Sequence, residues 1–157
     1  MPTVVEVQEE EEAIPELVRL LGTKRFVRVD GHSGHGKTRV AKALSERLGW
    51  SHVAVDDYLD GRPRSGRRYA DMVDRRRLIA AIEECPEGVV LDGICLNEIV
   101  PPETYGPEFS VYVRSYFAPE FDGDEQRRRS KLGTDRYHRQ YDPVRWTDVI
   151  VVKLSLA

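Results

Sequence analysis

Cysteine is scarce in this chain: there are two in 157 residues, Cys85 and Cys95, without the paired spacing that holds a metal. That excludes a disulfide scaffold and a cysteine-built zinc module, and it leaves both as reduced, small core residues, as expected of a cytoplasmic protein. Long apolar runs are absent too. No stretch approaches the roughly 20 residues that cross a bilayer, and the acidic N-terminus has neither the basic nor the apolar region of a signal peptide. No membrane partner is therefore expected. Internal repeats, low-complexity tracts and a domain linker are also lacking. What remains, 40% hydrophobic and 32% charged residues, is the composition of a soluble globule. A single domain over residues 1–157 is the expectation.

The net charge of -3 conceals a segregation. Glu9 to Glu12 form an acidic run, which reads as a solvated helix face. From Gly61 to Arg77 seven arginines stand against Asp71 and Asp74, a local balance of +5, and Arg127 to Arg129 begin a second basic cluster. Guanidiniums in such number suit a protein that handles polyphosphate.

Against these absences stands Gly31-His32-Ser33-Gly34-His35-Gly36-Lys37-Thr38. It follows the apolar run Phe26 to Val29 and precedes an amphipathic stretch, the context a phosphate-binding loop requires. The glycines let the backbone turn tightly, so that successive N–H groups face a phosphate chain. Lys37 can reach the terminal phosphates, and the Thr38 hydroxyl can ligate Mg2+. The positive end of a helix from Thr38 to Leu48 adds to the attraction. Candidate nucleotide-binding residues are Gly31, Ser33, Gly34, His35, Gly36, Lys37, Thr38 and Arg39. His32 and His35 fill variable positions of the loop and imply no metal site.

Five short apolar runs alternate with helix-capable segments: Phe26 to Val29, His52 to Val55, Val89 to Leu91, Phe109 to Val113 and Val149 to Leu154. This alternation predicts a parallel sheet covered by helices on both faces. Val40, Ala41, Leu44 and Leu48 mark the first connecting helix, stopped by Gly49, with Trp50 packed on its end. Asp71 to Glu84 is a second helix, closed by Pro86. Asp124 to Tyr141 is a third, interrupted by Gly133. Pro15 to Leu21 is a short helix before the sheet, within a lead-in over residues 1–24.

In such a sheet the ligand crevice lies at the carboxyl ends of the strands. Asp56-Asp57-Tyr58 follows the second run, and Asp92-Gly93 follows the third. Carboxylates there can position Mg2+ or accept a proton from an attacking hydroxyl.

Together the loop Gly31 to Thr38, the Asp56-Asp57-Tyr58 triplet and Val89-Val90-Leu91-Asp92-Gly93-Ile94 resemble the uridine kinase and phosphoribulokinase group of P-loop kinases, over about Phe26 to Ile94. The resemblance implies a three-layer αβα P-loop NTPase fold with a five-stranded parallel sheet and a short helical lid. It also implies ATP and Mg2+ as cofactors. In that group the Asp two places before the aromatic deprotonates the acceptor, a role that falls on Asp56. The third-strand acid helps hold Mg2+ with the loop hydroxyl, which falls on Asp92 beside Thr38. The group's arginine-bearing lid maps to residues 122–142, with Arg128 among the candidates to stabilise the transferring phosphoryl group. Asp57, Tyr58, Arg64, Arg67 and Arg68 are candidate acceptor-binding residues. A loop beyond the fifth strand contacts adenine in the group, and this sequence stops at Ala157, so weak base discrimination is expected.

The expected function is ATP-dependent phosphotransfer, with Lys37, Asp56 and Arg128 catalytic, onto a hydroxyl of a small nucleoside- or sugar-like acceptor. An anionic acceptor, either a phosphorylated metabolite or a nucleic acid tracked by the arginines from 62 to 77, is a less favoured reading. A nucleotide-binding switch that transfers nothing is a third, and a homo-oligomer is compatible with each.

Overall fold

The structure is a computed structural model that describes residues 1–32, 34–60, 67–115 and 133–154. Its centre is β2, Phe26–Asp30, buried at every position. The other strands are β1 Thr3–Val7, β3 Ser51–Ala54, β4 Val89–Asp92, β5 Glu108–Ser115 and β6 Val149–Lys153, and all pair in parallel in the order β1-β6-β5-β2-β4-β3. Parallel pairing requires crossovers, and helices supply them: α1 Ile14–Leu21, α2 Lys37–Leu48, α3 Arg75–Glu83, α4 Leu96–Ile99, α5 Thr134–Tyr141 and α6 Pro143–Trp146.

Side chains alternate across a strand, so each face of the sheet builds its own core. Val27, Val29, Val90 and Val111 pack with Val40, Ala41 and Leu44 of α2 and Leu17 of α1. Phe26, Val89 and Leu91 face the opposite way, onto Leu78 and Ile82 of α3, Leu96 of α4 and Tyr137 of α5. Cys95 is buried in this second core and Cys85 packs at its edge; both are free thiols. Trp50 packs at the margin of the first core, and a side chain at Gly88 would collide with its ring.

Arg28 is a charge in the middle of the central strand, and its donors are matched. Its guanidinium meets Glu108 at 2.5 and 3.2 Å and donates to the carbonyls of Val100 and Pro101. A bidentate pair reinforced by further hydrogen bonds to carbonyls is the form in which a buried charge is tolerated.

Two expectations are corrected. The sheet has six strands, not five, because Thr3–Val7 adds a parallel strand beside β6 within the expected lead-in helix. Its β-branched residues favour extension, but an edge strand exposed at most positions has no clear apolar alternation. The second helix starts at Arg75 rather than Asp71: the Asp74 carboxylate caps it by accepting from Arg77 N, after a separate 3-10 turn at Tyr69–Met72. Of the segment expected to form a lid, 122–142, residues up to 132 lie outside the described residues, and α5 follows Gly133, whose φ of 78° suits glycine. No helix among the described residues is long and apolar enough to cross a membrane.

Candidate active site

The chain leaves β2, crosses to β3 at one edge of the sheet, returns to β4, and only then passes to β5 on the other side of β2. That reversal opens the crevice at the carboxyl end of β2, where residues 31–38 lie. Gly34 and Gly36 adopt φ of 83° and 95°, left-handed values that a Cβ disfavours, and Gly36 caps α2. Lys37, 8% exposed, has no hydrogen bond or salt bridge among the described residues. His35 is buried, and its Nδ1 accepts from Ser115 N at 3.1 Å, tying the loop to the end of β5. His32 stacks on His138 of α5 with ring centroids 4.1 Å apart. His35 thus serves the loop through its backbone and as an internal brace. Ser33 lies outside the described residues.

On the outer flank of the loop the acidic run is solvated at Glu11 and Glu12, as expected, but not at Glu10. It forms a 3-10 turn, Glu10–Ala13, and Glu10 is 2% exposed. Lys153 Nζ, at the end of β6, donates to Glu10 Oε1 at 2.9 Å, and Arg39 NH1 lies 3.2 Å from Oε2. A Cβ on Gly36 would fall 2.6 Å from Glu10 Oε1, so the carboxylate rests directly against the loop. Arg39 also reaches Glu11 at 2.9 Å, which turns its side chain toward this acidic turn. The correction has a simple cause: the added strand β1 carries the turn to the loop, beside a buried lysine that needs a counter-charge.

Asp92, the last residue of β4, is 3% exposed and engaged on both oxygens. Thr38 Oγ1 donates to Oδ1 at 3.3 Å, and His52 of β3 hydrogen-bonds Oδ2 through Nε2. The loop hydroxyl and the strand-end carboxylate therefore converge. Two hard oxygen donors at that separation fit Mg2+, which prefers carboxylate, hydroxyl and water oxygens.

Asp56 and Asp57 follow β3 as the exposed residues of the 3-10 turn Val55–Tyr58. Tyr69 OH donates to Asp56 Oδ1 at 2.5 Å. Burial, then the charge of Asp56, push the Tyr69 hydroxyl far above its ordinary pKa, so it stays protonated and is the donor. The Asp57 side chain has no partner among the described residues. Tyr58 packs against the core with the Arg77 guanidinium 5.5 Å from its ring centroid. Arg67 pairs with Asp60 at 3.4 Å and donates to Asp71 O at 3.0 Å. Arg68 bridges Asp71 and Glu98, both at 3.1 Å. Arg64 and Arg128 lie outside the described residues.

A third carboxylate, Asp30, sits directly before the loop. Its Oδ1 accepts from Gly31 N at 2.8 Å and its Oδ2 from Tyr137 OH at 2.5 Å; Tyr137 OH in turn accepts from Asn97 N at 3.0 Å. Burial raises the Asp30 pKa, and the bonds from Tyr137 and Gly31 oppose that rise. Asp30, His52, Tyr69 and Tyr137 went unrecognised in the sequence. Asp30 carried a signal, as a polar residue at the end of an apolar run beside the loop; the others act through partners far along the chain.

No family model and no curated protein matches the sequence. In three dimensions the chain is similar to the structure of a possible uridine kinase from Bacillus stearothermophilus, with a TM-score of 0.58 over 90% of this chain and 97% of that one, at 17% identity. At that identity the likeness shows the fold alone: this chain shares with that structure an α/β fold, a parallel sheet flanked by helices.

Proposed function

We propose that the protein is an ATP-dependent kinase that moves the γ-phosphoryl group of ATP to a hydroxyl of a small, neutral, nucleoside- or sugar-like acceptor. The observation that carries this reading is a pair of oriented carboxylates, Asp92 as the last residue of β4 and Asp56 just beyond the neighbouring strand β3, on the loop side of the sheet. Loop N–H groups and Lys37 would hold the phosphates, and Thr38 and Asp92 would hold Mg2+. Bound there, the ion would offset charge on the phosphate oxygens. Asp56 would take the proton of the attacking hydroxyl. Arg128 is the lid candidate for charge stabilisation in the same reading.

An oriented carboxylate on the acceptor side supports an enzyme over a nucleotide-binding switch, which has no use for a base. The engagement of Arg67 and Arg68 by Asp60, Asp71 and Glu98 supports a neutral acceptor over an anionic one. Nucleosides, sugars and other polyols, set beside phosphorylated metabolites and oligonucleotides, should be offered with ATP-Mg2+ while ADP and phosphomonoester are measured together. Equal amounts of both with one neutral class is the expected result. ADP release that no hydroxyl compound accelerates would reject the proposal.

A further inference from the structure

Asp56 is an exposed residue of its turn, where an aspartate ordinarily rotates freely about two side-chain bonds. Here one of its oxygens is bound. The partner comes from a different segment, the 3-10 turn Tyr69–Met72, in which Tyr69, Ala70 and Met72 are buried. That turn is closed onto the Asp56 turn by two short backbone bonds, Asp60 N to Met72 O and Asp74 N to Tyr58 O, both 2.7 Å, and by a bridge between Leu59 and Val73. Tyr69 itself is 3% exposed. Its hydroxyl is thus delivered from a frame that cannot shift without breaking the core beneath it.

We propose that Tyr69 is a positioning residue for phosphoryl transfer: by donating to Asp56 Oδ1 it fixes the carboxylate so that Oδ2 is the oxygen presented to the acceptor hydroxyl. This rests on the kinase reading above. In the step it serves, the acceptor O–H proton passes to Asp56 Oδ2 and the acceptor oxygen forms a bond to the γ-phosphorus. The bond from that phosphorus to the β,γ-bridging oxygen breaks, and ADP leaves with the electron pair. Tyr69 keeps its own proton throughout. A base held in one orientation avoids the loss of alignment that costs up to about 10^2-fold for a displacement near 1 Å.

The test is a double-mutant cycle on the full chain with ATP-Mg2+ and the acceptor found by screening. Tyr69→Phe removes one oxygen and keeps the ring; it should lower kcat roughly 10-fold to 10^2-fold and leave the KM for ATP within about twofold. Asp56→Asn should be slow, and Asp56→Asn with Tyr69→Phe should be no slower, because the hydroxyl acts through the carboxylate. Losses that multiply, or a Tyr69→Phe variant with the parent kcat beside a slow Asp56→Asn, would overturn the inference while leaving the kinase reading intact. Asp56→Asn at the parent rate would overturn both. If Tyr69→Phe does not fold, the 13C resonance of Tyr69 Cζ in the parent and in Asp56→Asn replaces it: a shift between the two supports the bond, and identical resonances reject it.

Discussion

Thr38 Oγ1 lies 3.3 Å from Asp92 Oδ1, and His52 holds the far oxygen of the same carboxylate. The first turn of α2, the end of β4 and the edge strand β3 thereby meet at one group. Because a carboxylate only accepts, His52 Nε2 is the donor, and its ring fixes which way Asp92 faces. Partners of this kind behind a metal ligand are worth about 10-fold to 10^2-fold in metal affinity. His52→Leu should therefore raise the Mg2+ concentration needed for half-maximal activity by about tenfold or more, and should weaken Mn2+ binding to the nucleotide complex as read by electron paramagnetic resonance. An unchanged metal requirement would reduce His52 to a packing residue.

Glu10 is a buried anion between Lys153 and Arg39, and Lys153 is itself 7% exposed. Removing one member of a buried pair destabilises by about 3–5 kcal/mol. Glu10→Gln should lower the melting temperature by on the order of 10 °C. Glu10→Leu combined with Lys153→Met should recover most of the loss, since both buried charges of the pair are then removed together. A single variant as stable as the parent would mean that water reaches this pair.

Burial raises the Asp30 pKa above its ordinary 3.8. The folded state then holds that proton more tightly than the unfolded state, so Asp30 favours the fold at low pH. This contribution is lost as pH rises through the folded pKa. Asp30→Asn keeps an acceptor for Tyr137 and carries no charge. Its stability should decline less than the parent's as pH is raised from 3.8 through that window, in chemical denaturation followed by circular dichroism. Parallel profiles would place the titration elsewhere.

Arg67 and Arg68 already carry carboxylate partners. The acceptor KM should accordingly depend weakly on salt, and Arg67→Ala with Arg68→Ala should leave that dependence flat. A steep dependence that the double substitution abolishes would restore an anionic acceptor.

What the sequence made legible was local. The glycine-rich loop is eight consecutive residues, and the central strands are apolar runs buried on both faces, so each could be read without knowing its neighbours. β1 was missed because an exposed edge strand shows no clear period. The pairs His52–Asp92, Tyr69–Asp56, Tyr137–Asp30 and Lys153–Glu10 join residues 40, 13, 107 and 143 positions apart, and composition holds no record of such partners. The same blindness affected the basic stretch: its +5 balance counts the arginines from 61 to 77 against Asp71 and Asp74, but omits Asp60 and Glu98, which lie outside it.

Lys37 is a buried cation at the start of α2, without a salt-bridge partner among the described residues. Lys37→Ala should leave melting nearly unchanged and reduce ATP-Mg2+ affinity below detection in calorimetry. ATP binding and turnover at parent levels would remove the phosphate-loop assignment.

The most direct measurement of the central claim is 31P NMR of ATP-Mg2+ with a neutral hydroxyl acceptor, run on the parent and on Asp56→Asn. In the parent, a phosphomonoester resonance should grow in step with ADP; in the variant both should be at least ~10^2-fold slower, with nucleotide affinity retained. Inorganic phosphate as the sole new product, formed equally by the two proteins, would contradict phosphotransfer to a hydroxyl and the role of Asp56 in it.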